Sequence, residues 1–217
     1  VRNTLEEIKK LNPESLTVHT LAVKRASKLK EDIENYELTR YEEMIKMIDL
    51  SMEYAKEMGL NPYYMYRQKH MLGNLENIGY AKEGYECKHN IVYWKCDNYL
   101  GLGPGASGYI NNYRYSNICD IKEYNKCLEY NKKPIEEKNV LSKKDEMEEF
   151  IFMGLRMNEG INLDEFYEKF NVNFKHKYNN ILDKLKNLNL IIEQNNNIAL
   201  TQRGRELSNT VFIEFID

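Results

Sequence analysis

Apolar positions set the first expectations. In residues 2–11, Leu5, Ile8 and Leu11 recur at helical spacing, and Asn12-Pro13-Glu14 breaks the pattern. The period then changes. Ser15 to Val23 alternates and is rich in Thr and Val, which predicts a strand. Residues 31–39 read as a charged loop or helix start. From Tyr41 to Met58 the helical period returns. Met44, Ile45, Ile48, Met52 and Ala55 share one face, and Gly59 stops the helix. Asn61-Pro62 leads into a strand at Tyr63–Tyr66, while Gly73-Asn74 and Gly79 read as loops. Strand, helix, strand, loop, strand is the order of successive β/α-barrel units. They are too few to close a barrel, so its front is expected upstream of Val1.

Cys87 to Tyr109 reads as a short strand delivering a glycine-rich turn, Gly103 to Gly108. Glycines there let main-chain N–H groups approach a ligand closely. Asp120 to Leu128 reads as a helix and Asn131 to Asn139 as a polar linker. Ser142 reads as an N-cap with Asp145 completing a capping box, and that helix runs to about Asn158. Shorter helices follow at Leu163–Phe170 and Lys177–Leu188. Leu190–Glu193 and Asn197–Leu200 flank Asn195-Asn196, a hairpin signal. Thr201 caps a last short helix, and Val211 to Ile216 closes the chain. The expected class is α/β: the C-terminal part of a partial (β/α) barrel over 1–130, a linker over 131–141, and a small winged-helix-like α+β domain over 142–217.

Composition narrows the function classes. A formal net charge of -3 argues against a dedicated nucleic-acid binder. No apolar run approaches the roughly 20 residues of a membrane helix. The amphipathic start is no signal peptide, and a first residue other than Met suggests a fragment. Cys87, Cys96, Cys119 and Cys127 form no C-x-x-C pair and read as reduced thiols of a cytoplasmic protein.

The stretch CKHNIVYWKCDNYLGLGPGASGY resembles the oxygen-independent coproporphyrinogen III oxidase family of radical S-adenosylmethionine proteins. His89-Asn90-Ile91-Val92-Tyr93-Trp94 is similar to the HNxxYW signature of its haem-chaperone branch, where the histidine is linked to haem binding. Leu100 to Ala106 is similar to the family's glycine-rich strand and turn near bound S-adenosylmethionine, and Arg114-Tyr115-Ser116-Asn117 follows it. EEFIFMGLRMNEGINLDEF and LTQRGRELSN resemble the family's C-terminal domain. Lys24-Arg25-Ala26-Ser27 and Tyr63 to Lys69 instead resemble the coproporphyrinogen dehydrogenase-like branch. The resemblance is thus mosaic, with a change of branch near residue 80.

The resemblance implies a tetrapyrrole ligand, and S-adenosylmethionine with a 4Fe-4S cluster in the complete protein. The family's CxxxCxxC cluster motif is absent here, so this chain alone should not cleave S-adenosylmethionine. It implies either a chaperone that holds haem and passes it to an acceptor protein, or an enzyme that decarboxylates coproporphyrinogen III. A winged-helix protein without a porphyrin ligand is the third reading.

Four sets of residues carry these readings. His89 is either an iron ligand, with Asn90, Tyr93 and Trp94 beside the porphyrin, or a partly buried histidine bonded to a neighbouring strand. Gly103, Gly105, Ala106 and Ser107 form either a cofactor-pocket wall or a structural turn. Lys24, Arg25 and Arg67 either bind propionates or are surface charges. Lysines at 175, 177, 184 and 186 tempt a DNA reading, but Asp183 and Glu193 interleave with them.

Overall fold

The computed structural model describes residues 1–21, 28–32, 41–70 and 73–216. The first part holds α1 (Arg2–Leu11), β1 (Ser15–His19), α2 (Lys28–Glu31), α3 (Tyr41–Glu57), β2 (Asn61–His70) and β3 (Gly73–Ala81). Asn12 closes α1 in the left-handed conformation (φ 47), where the helical period of apolar residues breaks. Helices α1 and α3 contribute Leu5, Ile48 and Ala55 to a core that also takes Met58 and Leu60 from the turn after α3 and Ile78 and Tyr80 from β3. Lys9 ties the helices through Glu57 at 2.7 Å.

The sheet differs from the expected parallel units. Its order is β1-β3-β2, and both pairings are antiparallel. Only positions 71–72 separate β2 from β3, and a parallel crossover needs about a dozen residues or more. Gly79 lies inside β3 rather than in a loop. A Cβ there would stand 2.0 Å from Cε1 of Tyr64, so glycine is required where that ring crosses the strand.

The middle part holds α4 (Lys88–Trp94), β4 (Ser107–Ile110), β5 (Tyr113–Asn117), α5 (Ile121–Glu129) and β6 (Ile135–Val140). Lys88 to Trp94 is a helix where a strand is expected. Its aromatic and β-branched residues carry strand propensity, but they pack as i,i+4 pairs. The expected linker is largely strand: β6 pairs with β5 from Val140 opposite Tyr113 to Ile135 opposite Asn117. Its polar sequence reflects a nearly solvent-exposed edge rather than a lack of structure.

The last part holds α6 (Lys143–Gly154), β7 (Ile161–Asn162), α7 (Leu163–Phe170), α8 (Phe174–Lys177), α9 (Asn179–Asn187), β8 (Ile191–Gln194), β9 (Asn197–Leu200), α10 (Gln202–Glu206) and α11 (Ser208–Ile213). The capping box of Ser142 and Asp145 is formed in both directions. Asn195 and Asn196 both take positive φ (49 and 62), as a two-residue hairpin turn requires. Phe150, Phe166, Phe170 and Phe174 centre a second core. Helix α6 stops short of Asn158 because residues 156–158 turn back onto β2. There Met65 N–H donates to the Arg156 carbonyl (3.2 Å), and Asn158 N–H to that of Tyr63 (3.0 Å). Three of the four lysines near α9 are ion-paired, Lys175 and Lys186 with Glu193 and Lys184 with Glu214, while Lys177 lies over the Tyr178 ring.

Candidate functional site

Helix α4 divides the HNxxYW residues into two i,i+4 pairs on different faces. Asn90 and Trp94 face β2. Asn90 lies beside the Tyr63 hydroxyl. The Trp94 ring lies 4.2 Å from that of Tyr64, the side chain that crosses Gly79. The helix start is fastened as well, since Cys87 N–H donates to the Tyr63 hydroxyl at 3.4 Å. These contacts make Asn90 and Trp94 the seat of the helix.

His89 and Tyr93 occupy another face. His89 is exposed, and its Nε2 lies 3.2 Å from the Tyr93 hydroxyl. The partner is thus one turn along its own helix, not a neighbouring strand. Tyr93 meets Tyr99 edge-on at 4.6 Å. Tyr99 exchanges backbone hydrogen bonds of 2.7 and 3.0 Å with Tyr109, whose hydroxyl donates to Glu146 at 2.9 Å. Burial, then the bond to Glu146, pushes the Tyr109 phenol above the usual tyrosine range, so it remains a donor. A row of rings therefore links His89 to α6. The motif alone does not name Tyr99 and Tyr109; alternating tyrosines around the glycines were the available signal.

The glycine turn is internally satisfied. Gly101 N–H donates to the Tyr115 hydroxyl and Gly103 N–H to the Tyr124 hydroxyl, both at 3.1 Å. Gly105 N–H reaches the Ile118 carbonyl at 3.0 Å, and Ala106 N–H the Gly103 carbonyl at 3.3 Å. Buried Asn117 donates its amide to the carbonyls of Gly101 (3.1 Å) and Gly103 (3.0 Å). The turn therefore presents a shaped surface, with exposed Ser107, Leu100 and Leu102, rather than a cradle of free N–H groups. Tyr115, Tyr124 and Asn117 build it, and none carries a motif signature of its own.

Lys24 and Arg25 lie outside the described residues. Arg67 lies in β2, opposite Glu76. Cys96 is packed against the second core, and burial pushes its thiol up to about 11. A protonated thiol is a poor metal ligand. Among the described residues no three Cys, His, Asp or Glu side chains converge to hold a metal. These cysteines do not fit a 4Fe-4S cluster. A polar cleft of about 380 Å³ lies between Cys96, Asn98, Tyr109, Glu146 and Lys169.

The fold is α/β and corresponds to the C-terminal part of the coproporphyrinogen III oxidase (HemN) fold. The HemN C-terminal domain family matches residues 141–207, and the chain is a homologue of the oxygen-independent coproporphyrinogen III oxidase family. It is 37% identical over 148 residues to the haem chaperone HemW of Lactococcus lactis, spanning 68% of this chain and 38% of that protein. It is 41% identical over 136 residues to the oxygen-independent coproporphyrinogen-III oxidase-like protein HemZ of Bacillus subtilis, spanning 59% of this chain and 27% of that protein. The oxygen-independent coproporphyrinogen III oxidase of Helicobacter pylori is 23% identical across 98% of this chain and 47% of its own length. The fold matches coproporphyrinogen III oxidase (HemN) of Escherichia coli, a radical SAM enzyme, with a TM-score of 0.71 at 16% identity, over 99% of this chain and 50% of that one. The chain thus spans half or less of the length of these relatives.

Proposed function

We propose that the chain is the C-terminal part of a cytoplasmic tetrapyrrole-handling protein that binds haem and passes it to an acceptor protein. The observation that carries this reading is His89, exposed on a helix that Asn90 and Trp94 fasten to β2. Similarity to the haem chaperone of Lactococcus lactis supports it. His89 would hold the iron, and Tyr93 stands beside it. No helix among the described residues is long and apolar enough to cross a membrane. In the complete protein, S-adenosylmethionine and a 4Fe-4S cluster would supply the radical chemistry, with cluster ligands from outside this chain. The wall formed by Gly103, Gly105, Ala106 and Ser107 would contribute shape there. Lys24, Arg25 and Arg67 remain the proposed partners of the propionates.

A haemin titration followed by the Soret band tests the reading. Saturable one-to-one binding that His89→Ala weakens at least about tenfold is expected, a loss of roughly 1.4 kcal/mol. Unchanged affinity in His89→Ala would sink it.

The second reading, a coproporphyrinogen III dehydrogenase forming protoporphyrinogen IX, is favoured by the similarity to the Helicobacter pylori oxidase along nearly the whole chain. Formation of 5′-deoxyadenosine and protoporphyrinogen by the complete protein would select it over the chaperone.

A further inference from the structure

We propose that Tyr93 is a positioning residue that caps Nε2 of His89 and sets the imidazole as its Nδ1–H tautomer. The Nε2 lone pair then goes only to a Lewis acid able to displace the phenol. The ligand, haem iron, rests on the reading above; the cap itself does not.

The geometry carries the first half. The hydroxyl lies 3.2 Å from Nε2, and the two rings are perpendicular, 5.0 Å apart. One of the two groups must donate. A phenol O–H is a stronger hydrogen-bond donor than a neutral imidazole N–H, and an imidazole nitrogen is a better acceptor than a phenol oxygen, so the phenol donates and Nε2 accepts. The cap is also held in place. Tyr99 closes edge-on against Tyr93, and Tyr99 is fixed by its two backbone bonds to Tyr109, which is itself bonded to Glu146. The Tyr93 carbonyl meanwhile accepts the Cys96 N–H at 3.2 Å.

The second half follows from competition. With Nδ1 protonated, Nε2 carries the available lone pair, and a metal must break the phenol bond to reach it. A net hydrogen bond of about 1 kcal/mol corresponds to roughly fivefold in an equilibrium constant.

Two measurements test the cap without haem. Nitrogen-15 spectra of the His89 imidazole should show a protonated Nδ1 in the wild type and a shift towards protonated Nε2 in Tyr93→Phe. Diethyl pyrocarbonate, read by mass spectrometry at His89, should acylate Tyr93→Phe faster, by up to about fivefold. A wild-type Nε2–H tautomer, or equal acylation rates with native far-ultraviolet circular dichroism in both proteins, overturns the cap. A haemin titration then tests the ligand. Tyr93→Phe should bind more tightly, by no more than about fivefold because the shift towards protonated Nε2 withdraws part of the gain, and equal or weaker binding overturns the competition. If the cap is seen and neither protein binds haemin, the haem reading and the ligand named here fail while the cap stands.

Discussion

Cys96 stands in left-handed backbone (φ 51), while every other described non-glycine residue with positive φ is an asparagine. Cysteine has no side-chain advantage there, so its surroundings hold it. Its carbonyl accepts from Lys169 at 2.7 Å, and its thiol packs against the C-terminal core. Alkylation should separate the thiols. Exposed Cys87 and Cys119 should react with iodoacetamide within minutes at pH 8, whereas Cys96 should react slowly until the pH nears about 11. Peptide mass spectrometry reads this directly. Gly79 is the second telling residue. Gly79→Ala drives a methyl into the Tyr64 ring and should cost about 1–3 kcal/mol, seen as a lower urea midpoint. It should also disturb Trp94 fluorescence, because that indole rests on Tyr64. The sequence shows this glycine only as a punctuation mark, because what requires it is a ring from the neighbouring strand.

Elements were most legible where their ends are chemically marked. Helix α6 begins at Ser142, and the hydroxyl and backbone N–H of that residue hold the Asp145 carboxyl below the usual range. The sign follows: the cap is fully present above the unfolded pKa of about 4 and is lost as pH falls through the lower folded value. Ser142→Ala should lower stability by about 1 kcal/mol at neutral pH. The difference should shrink in acid, where the carboxyl is protonated in both proteins. The glycine turn was legible as a turn but not as a closed one. Its N–H partners lie 14 and 21 residues further on, at Tyr115 and Tyr124. Tyr124→Phe should speed amide exchange at Gly103, with a loss of about 1 kcal/mol. Local propensity predicts a strand over α4, while packing on β2 decides for the helix.

The described residues form two apolar cores, and polar contacts from several elements join the site to the second. Arg114 pairs bidentately with Glu149 at 2.8 Å for both bonds, Lys95 reaches Glu165 at 3.2 Å, and Tyr109 bonds Glu146. Arg114 and Glu149 are partly exposed, so a double-mutant cycle of Arg114→Ala and Glu149→Ala should give a coupling of no more than about 1 kcal/mol. A zero coupling in thermal unfolding would show that this bidentate contact contributes nothing to joining the parts.

The sequence by itself determined the family resemblance, the capped helices, the Asn195-Asn196 hairpin and the HNxxYW residues as the place to look. These signals depend on neighbours within a few positions, where period, caps and turn chemistry act. Tertiary structure decided the antiparallel sheet, the seating of Asn90 and Trp94 against β2, and the occupation of the glycine-turn N–H groups. Each of these depends on a partner distant in the chain, brought near only when the apolar faces of separate elements are buried together.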